Sequence, residues 1–503
     1  MNIKRAKQEI TDSIEAYLAK DEMGEYKIPA IRQRPILLMG PPGIGKTQIM
    51  EQVAKECKVG LVSYTITHHT RQSAVGLPFI EKKEYGGRMY SVAEYTMSEI
   101  IASVYEKMEQ TGVKEGILFI DEINCVSETL APTMLQFLQC KTFGNQKVPE
   151  GWTIVAAGNP PEYNKSVRDF DIVTLDRVKR IDVEENYEVW RSYAYEVGMH
   201  PAILSYLEIK KDYFYVMENT VDGLAFATAR GWEDLSQLIC TYEDLGKQVD
   251  REVVAQYIQH AKIAKDFANY LELYRKYEKD YALTDILEGR FSKATLDRLS
   301  YASFDERLSV VGMLISKLNE SFKSYVYKDR YITTLYQYLK PYMTSGDLKA
   351  VVELAKETYA DLRKKEQLTR EENQIYQKVL TTLDGYLKTA MLDHMLSKDA
   401  VEMVREGFSK EADALERIAI ETGERLDHAF MFMEQAFSES QEMVSFVTEL
   451  NTNFYSVQYL KENDNAYYFK HNKSLLLNSA AADIKKELEE IKTDGGTLFT
   501  FPM

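Results

Sequence analysis

The sequence predicts an α/β domain built on a parallel sheet, followed by a mostly α-helical C-terminal region. Turn-breaking residues are concentrated in the first half of the 503-residue chain: ten of the twelve prolines lie at or before Pro201, and sixteen of the 25 glycines at or before Gly231. Short apolar runs alternate there with helical patterns. Few breakers interrupt the stretch 240–490, where apolar residues recur at helical spacing. The chain is too long for one hydrophobic core, and we expect two to four domains.

The strands are predicted from short apolar runs between turn signals, at 35–39, 60–66, 117–120, 153–157 and 179–183. Helices between them favour a parallel sheet that is covered on both faces. In the second half, one helix face is predicted from spacings of four, seven and eleven residues, at Leu426, Phe430, Met433 and Phe437. Thr369 and Glu372 form the pattern of a capping box at the start of another helix. We expect the many aromatic residues of this half to fill its core, although a stacking surface for nucleic acid is the alternative.

Composition weighs against nucleic acid as the main partner, without excluding a local basic patch. The net charge of −16 and the isoelectric point near 5.2 give no basic field that would attract nucleic acid or an anionic membrane. No apolar run approaches the roughly 18 residues of a membrane span, and the start at Met1 lacks the apolar segment of a signal peptide. The cysteines show neither a CxxC pair nor metal spacing and are expected to be reduced, mostly buried thiols: Cys57, Cys125, Cys140 and Cys240. We therefore expect a cytoplasmic protein.

The segment Gly40–Thr47, with the sequence GPPGIGKT, follows the first predicted strand and leads into a helical pattern. This order is that of a phosphate-binding P-loop, in which glycines let backbone N–H groups surround the phosphates. Lys46 is expected to reach the β- and γ-phosphates, and the Thr47 hydroxyl to bind Mg²⁺. A chance glycine-rich turn is the alternative, and the flanking strand and helix argue against it. The fold class is thus an α/β P-loop NTPase that binds ATP or ADP with Mg²⁺. The residues expected to contact the nucleotide are Pro41, Pro42, Gly43, Ile44, Gly45, Lys46, Thr47 and Gln48.

The predicted strand 117–120 ends in the paired carboxylates Asp121 and Glu122. Ligands bind at the carboxyl ends of strands in open α/β sheets. We expect Asp121 to hold Mg²⁺ through water, together with Thr47, and Glu122 to polarise the water that attacks the γ-phosphate. Taken alone, such a pair fits a helix N-cap equally well; the P-loop some 75 residues earlier favours the catalytic role.

The predicted strand 153–157 is followed by Asn159, which stands before a proline. Its amide is expected to orient the attacking water between the carboxylates and the γ-phosphate. An Asn-Pro pair is also a common turn, and only the two other motifs favour the catalytic interpretation.

Over residues 15–265 these motifs resemble an AAA+ ATPase, and within that group the MoxR branch. The resemblance implies that Lys46 and Thr47 belong to Walker A, Asp121 and Glu122 to Walker B, and that Asn159 is sensor 1. It implies an AAA+ domain over 1–185, a helical lid over 186–265 and a helical C-terminal domain over 266–503.

The same resemblance suggests two functional arginines. Leu175-Asp176-Arg177-Val178 is similar to the family's Leu-Asp-Arg-Phe segment, whose arginine enters the neighbouring subunit's site, with Val178 in place of the usual Phe. Arg177 is therefore the arginine-finger candidate, with Arg168 and Arg180 nearby as alternatives. Arg230 resembles the sensor 2 arginine on the γ-phosphate, although Ala229 precedes it where the family often has Pro. For Arg177 and Arg230 a plain salt bridge is the competing interpretation.

Between the predicted strands 60–66 and 117–120, two apolar segments flank a charged turn with Gly86-Gly87, which predicts a β-hairpin. It resembles the helix-2 insert of the MoxR-containing branch, and the segment 144–151 would form a second loop. In the family these inserts face the pore of a hexamer. Lys82, Lys83 and Arg88 could grip a substrate there, and solvated surface charges fit equally well.

The resemblance implies an ATP-hydrolysing, chaperone-like machine. A ring, expected to be a hexamer, would remodel or activate a protein client, often one with a von Willebrand factor A domain, and the helical C-terminal domain would bind the partner. The alternative is an AAA+ nucleic-acid motor, a helicase or restriction-type translocase, which the negative charge disfavours. A nucleotide-gated scaffold with negligible turnover is disfavoured because Glu122 is present.

Overall fold

The computed structural model describes residues 1–68, 71–127, 129–143, 146–163, 170, 172–220, 223–392 and 397–473. The chain forms two compact units. The first consists of Met1–Trp190, Phe214–Asp234 and Gln337–Lys398, and the second of Arg191–Tyr213, Leu235–Tyr336 and Asp399–Met503. The boundaries predicted at 185 and 265 stay predictions.

The strands belong to one five-stranded sheet and to three hairpins. Their bounds are β1 (Ile36–Met39), β2 (Gly60–Thr65), β3 (Pro78–Tyr85), β4 (Arg88–Tyr95), β5 (Gly116–Asp121), β6 (Thr142–Phe143), β7 (Gln146–Lys147), β8 (Trp152–Gly158), β9 (Lys179–Asp182), β10 (Val216–Thr220) and β11 (Gly223–Ala227). The large sheet has the order β2-β5-β8-β1-β9, and all its neighbours pair in parallel. The strand predictions are confirmed.

The helices include several long ones in the second half of the chain. Their bounds are α1 (Ile3–Leu18), α2 (Lys46–Glu56), α3 (Arg71–Val75), α4 (Glu99–Thr111), α5 (Ala131–Cys140), α6 (Ile172–Leu175), α7 (Tyr187–Val197), α8 (Pro201–Ile209), α9 (Ala229–Asp244), α10 (Arg251–Tyr257), α11 (Ala261–Tyr281), α12 (Leu283–Leu287), α13 (Lys293–Ser300), α14 (Phe304–Ser345), α15 (Leu348–Lys364), α16 (Arg370–Leu392), α17 (Ser397–Phe437), α18 (Gln441–Thr452) and α19 (Phe454–Glu462). Short 3₁₀ turns lie at Ala30–Arg32, Ile66–His68 and Lys211–Tyr213.

The three central strands, β1, β5 and β8, are buried on both faces, which explains why they are mainly apolar, whereas the edge strands β2 and β9 also carry exposed polar residues. Alternate residues of β1 enter different cores, because successive side chains of a strand point to opposite faces. Leu37 and Met39 pack into one core, and Ile36 and Leu38 into the other. Because β1, β5 and β8 run parallel, their carboxyl ends lie at the same edge of the sheet.

The β-hairpin predicted around Gly86-Gly87 is confirmed. β3 pairs with β4 in antiparallel register, and Gly86 and Gly87 adopt positive φ at the turn. Lys83 forms ion pairs with Glu81 and Glu94 of the same hairpin, so its charge is compensated within it. In the second expected loop, β7 pairs with β6, and its first glycine, Gly144, lies outside the described residues.

The second unit is built around the predicted apolar helix face. Leu426, Phe430 and Met433 are fully buried on α17, and Phe437 is nearly so. Aromatic side chains are also fully buried in this unit, as expected: Tyr206, Phe267, Phe322 and Tyr331.

A buried ion-pair network also crosses the second unit. The Arg191 guanidinium lies 2.7 Å from a Glu208 carboxylate oxygen and 2.9 Å from one of Glu449. Pairing of this kind is required of a charge that is removed from water.

Of two smaller expectations, one is wrong and one is confirmed. The cysteines are free, but the expectation that they are mostly buried is wrong: Cys140 is exposed and the other three are only partly covered. The capping box is confirmed, since the Thr369 N–H donates to Glu372 at 2.8 Å and the Glu372 N–H to the Thr369 hydroxyl at 3.2 Å. In the described part of the chain, no helix combines the length and apolar character needed to cross a membrane.

Candidate functional site

The P-loop adopts a backbone that its glycines make possible. Gly43 and Gly45 have φ values of 75° and 93°, in the left-handed region that favours glycine, and α2 begins directly after them. At Gly40 a Cβ atom would lie 2.5 Å from the Val183 carbonyl oxygen, so only glycine fits beside the residue that follows β9. These positions explain why the loop needs glycine at these points and what places Lys46 at the first position of α2.

The Lys46 ammonium is enclosed by hydrogen-bond acceptors. Its Nζ donates to the carbonyl oxygens of Gly40 and Pro41, at 2.7 and 2.8 Å, and to Asn159 Oδ1 at 2.8 Å. Burial lowers the pKa of Lys46 from 10.5 to about 8. The carboxylates of Asp121 and Glu122 oppose this shift. The ammonium is thus a buried charge that a phosphate could stabilise far better than neutral carbonyls do.

Two oxygen ligands meet where α2 begins and β5 ends. The Thr47 hydroxyl donates to Asp121 Oδ2 at 2.8 Å. A hydroxyl and a carboxylate are the oxygen donors that Mg²⁺ accepts when it keeps several waters and binds substrate phosphates. The donor set at this position therefore fits Mg²⁺. Asp121 also accepts from the Glu122 N–H, at 2.9 Å, through its other oxygen.

Glu122 holds a backbone conformation that is rare for its residue type. Its φ is 56°, in the left-handed region, which costs a non-glycine residue about 1–2 kcal/mol. The chain around it is held by two backbone hydrogen bonds, from the Cys125 N–H to Glu122 at 2.9 Å and from the Ile123 N–H to the Ala157 carbonyl at 2.9 Å. Strained residues that are held in this way are concentrated at functional sites.

Asn124 was missed by the sequence analysis. It is buried, and its Nδ2 donates to the Asn159 carbonyl at 2.7 Å while its Oδ1 accepts from the Asn159 N–H at 3.3 Å. Gly158 gives this side chain room, since a Cβ there would lie 2.6 Å from Asn124 Oδ1. Asn124 thus clamps the backbone of Asn159 and directs its side chain to Lys46. The only signal in the sequence was a polar residue two positions after Glu122.

The segment that carries Arg230 is bonded to the P-loop. The Arg230 N–H donates to the Gly43 carbonyl at 3.2 Å, and Tyr215 Oη donates to the Pro42 carbonyl at 2.9 Å. The Arg230 side chain is exposed, and its charge contributes to the lowered pKa of Lys46. Glu233, on the same helix as Arg230, accepts a hydrogen bond from Gln48 Nε2 at 3.3 Å.

The other arginine candidates lie elsewhere. Arg177 is exposed in the loop after α6 and donates to the Gln139 side chain of α5. The Arg180 guanidinium is paired with Asp182 at 2.8 Å, both on β9. Arg168 lies outside the described residues. The structure therefore brings Lys46, Thr47, Asp121, Asn159 and Arg230 together and does not bring Arg177 to them within one chain.

Residues 36–174 match the family model described as "ATPase family associated with various cellular activities (AAA)". The chain thus contains an AAA domain, whose five-stranded parallel sheet precedes a mostly helical C-terminal region, and the predicted fold class is confirmed. Among solved structures, the crystal structure of the FIGL-1 AAA domain in complex with ADP is similar at 17% identity and a TM-score of 0.30, over 56% of this chain and 88% of that one. A search of curated proteins finds no match.

Proposed function

We propose that this chain hydrolyses ATP at the site around Lys46. The observation that supports the proposal is the chain of contacts from Thr47 to Asp121 and from Lys46 to Asn159, at 2.8 Å each. These contacts join the P-loop to the carboxyl ends of two neighbouring strands, where ligands bind in open α/β sheets. An AAA domain over residues 36–174 is consistent with an ATP-driven activity.

In the proposed mechanism each side chain has one task. Lys46 leaves the carbonyls of Gly40 and Pro41 and contacts the β- and γ-phosphates. Thr47 and Asp121 would hold Mg²⁺, which would supply positive charge against the phosphate oxygens. Glu122 accepts a proton from the attacking water.

The remaining polar groups orient the reactants. Asn159, which Asn124 holds by its backbone, positions the attacking water. Arg230 contacts the γ-phosphate from the segment bonded to the P-loop. Arg177 enters the site of a neighbouring subunit and stabilises charge on the transferring phosphoryl group. Its exposed position in one chain is what such a role requires.

We further propose a MoxR-like assembly, a hexameric ring in the cytoplasm that remodels a protein client. The client is a partner such as a von Willebrand factor A domain protein. In this scheme residues 1–185 bind nucleotide, 186–265 act as the lid and 266–503 bind the partner. The motifs stated above and their similarity to the MoxR branch support this scheme.

The test is ATP turnover by the full-length protein and by Glu122→Gln. The variant keeps the shape of the side chain but removes the carboxylate, so it should bind ATP with near-normal affinity and lose turnover by about 100-fold or more. Wild-type turnover in this variant would remove Glu122 from the catalytic role. Single-stranded and duplex DNA added to the wild type separate the alternatives, because strong stimulation would favour a nucleic-acid motor. The ATP-trapped variant then serves as bait for the client.

A further inference from the structure

A second cavity lies within the first unit, at the end of α2 that is remote from the P-loop. It is formed by the last turns of α2, the first residues of β2, α4 and the turn between α15 and α16, and it has a volume of about 530 Å³. Lys55 lines it nine residues after Lys46, which corresponds to about 14 Å along a helix. It faces the amino end of β2, whereas the ATP site lies at the carboxyl ends of the strands. The cavity is therefore distinct from the proposed ATP site.

The cavity is basic, although the chain carries a net charge of −16. Its basic residues come from four helices and one turn: Lys55, Lys107, Arg363, Lys365 and Arg370. The carboxylates that line it are Glu51 and Glu366. This leaves an excess of three positive charges around one space, whose mutual repulsion an anion would relieve.

Two of the basic residues are neutralised within the protein. The Lys107 ammonium lies 2.7 Å from a Glu366 carboxylate oxygen, and that of Lys365 lies 2.7 Å from Asp361, one turn earlier on the same chain segment. Lys55, Arg363 and Arg370 form no ion pair with any residue that the structure describes. These three charges are available to a ligand.

The position of Arg370 is informative because it opens α16. A helix N-terminus carries positive partial charge, so a cation there is electrostatically unfavourable. Lys55 and Arg363, by contrast, lie in the last turns of α2 and α15, where the helix dipole stabilises them. Glu371 and Glu372 in the same first turn suit the helix dipole, whereas Arg370 gains no stabilisation from it, so the dipole does not explain why Arg370 lines the cavity.

The turn between α15 and α16, which lines the cavity, is bonded to α4 and to the residues that follow α2. Glu366 has a φ of 55°, a conformation that favours glycine, and it places its carboxylate on Lys107. The next residue, Gln367, donates from Nε2 to the Lys58 carbonyl at 3.0 Å. Residues 363–373 are thus held over α2 and β2, and the space beneath them is preformed.

Part of the cavity lining, called the apolar wall, consists of Ala54, Val59, Leu61 and Leu368, of which Ala54 and Val59 are buried. The volume lies within the range of small-molecule sites, about 300–1,000 Å³. Arginine and lysine recognise phosphate oxygens by charge-assisted hydrogen bonds, and an apolar wall suits a planar base.

We propose that this cavity is a second binding site for a phosphorylated small molecule of nucleotide size, with its phosphates between Arg363, Arg370 and Lys55. The site is independent of ATP hydrolysis at Lys46. A ligand here would hold the turn between α15 and α16 on α2, the same helix whose first residue is Lys46.

The test uses calorimetric titration of full-length Lys46→Ala protein, in which the P-loop is disabled, with ADP and with pyrophosphate. We expect both to bind, and affinity to fall by about tenfold or more for each arginine when Arg363→Ala and Arg370→Ala are added. The matched control is Lys349→Ala, which removes an exposed cation from the far end of α15 and should leave affinity unchanged.

Each outcome decides the proposal. Binding that is lost with the two arginines and kept in the control supports it. Binding by pyrophosphate alone keeps the phosphate site and overturns the role of the apolar wall. No binding to the Lys46→Ala protein, or equal binding with and without the arginines, overturns the proposal, and neither result affects the turnover assay on the wild type.

Discussion

The affinity for nucleotide should fall steeply as pH rises, because the buried Lys46 loses its charge in the ligand-free protein. Burial lowers the pKa of Lys46 from 10.5 to about 8, so the ammonium is mostly neutral above about pH 9. Bound phosphates favour the charged form and raise the pKa again. Nucleotide binding must then be accompanied by proton uptake in this pH range.

The magnitude follows from the two pKa values. If bound phosphates restore the pKa to 10.5, the difference from about 8 corresponds to about 3 kcal/mol of binding free energy. The sign is determined by linkage: affinity is constant below about pH 8 and falls by up to about tenfold per pH unit between pH 8 and 10.5, because the free protein holds fewer protons than the complex there. At about pH 9, binding should take up nearly one proton.

Isothermal titration calorimetry with ADP from about pH 7.5 to 10, in buffers of different ionisation enthalpy, measures both affinity and proton uptake. The matched control is Lys46→Arg, since a guanidinium keeps its charge throughout this range. Its affinity should be lower in absolute value but independent of pH. A flat profile for the wild type, or the same slope in Lys46→Arg, would refute the assignment of the titration to Lys46.

Three further predictions concern the intersubunit site, the residue behind Asn159 and the helical core. Arg177→Ala should lose about 10³-fold or more in turnover while still binding ATP, and mixing it with Lys46→Ala should restore part of the activity; no restoration would contradict a shared site. Asn124→Ala should lower kcat by about 100-fold through misplacement of the sensor amide, with nucleotide affinity nearly unchanged, and an equal loss of both would contradict a positioning role. Phe430→Ala, which empties a fully buried position, should cost about 3–5 kcal/mol in urea unfolding, whereas the partly exposed Met431→Ala should cost about 0.5 kcal/mol or less; similar effects would contradict the assigned core.

Much of the fold was predictable because its signals are local. The strands of the central sheet are short apolar runs between turn residues, and all five were placed within a residue or two. The helix face at 426–437 follows from a spacing of 3.6 residues per turn, and the capping box at Thr369 from two residues three positions apart. Each of these patterns is encoded in a few consecutive residues, and the structure forms them as predicted.

The site was predictable only in part. The P-loop depends on closely spaced glycines and the helix that follows them, so Lys46 and Thr47 could be found from one segment. Asn124 could not, because it follows β5 whereas its partner Asn159 follows β8, and the contact depends on how these two strands pair. For Arg180, only the structure revealed the pairing with Asp182 on the same strand.

The sequence by itself determined the order of strands and helices, the phosphate-binding loop and the residue types available for chemistry. Only the tertiary structure decided that Lys46 is buried among carbonyls with a lowered pKa, and that Glu366 meets Lys107 from 259 positions along the chain. The physical reason is the range of the interactions. Helix hydrogen bonds, glycine turns and side-chain periodicity act between near neighbours in sequence, whereas burial and charge pairing depend on packing between distant segments.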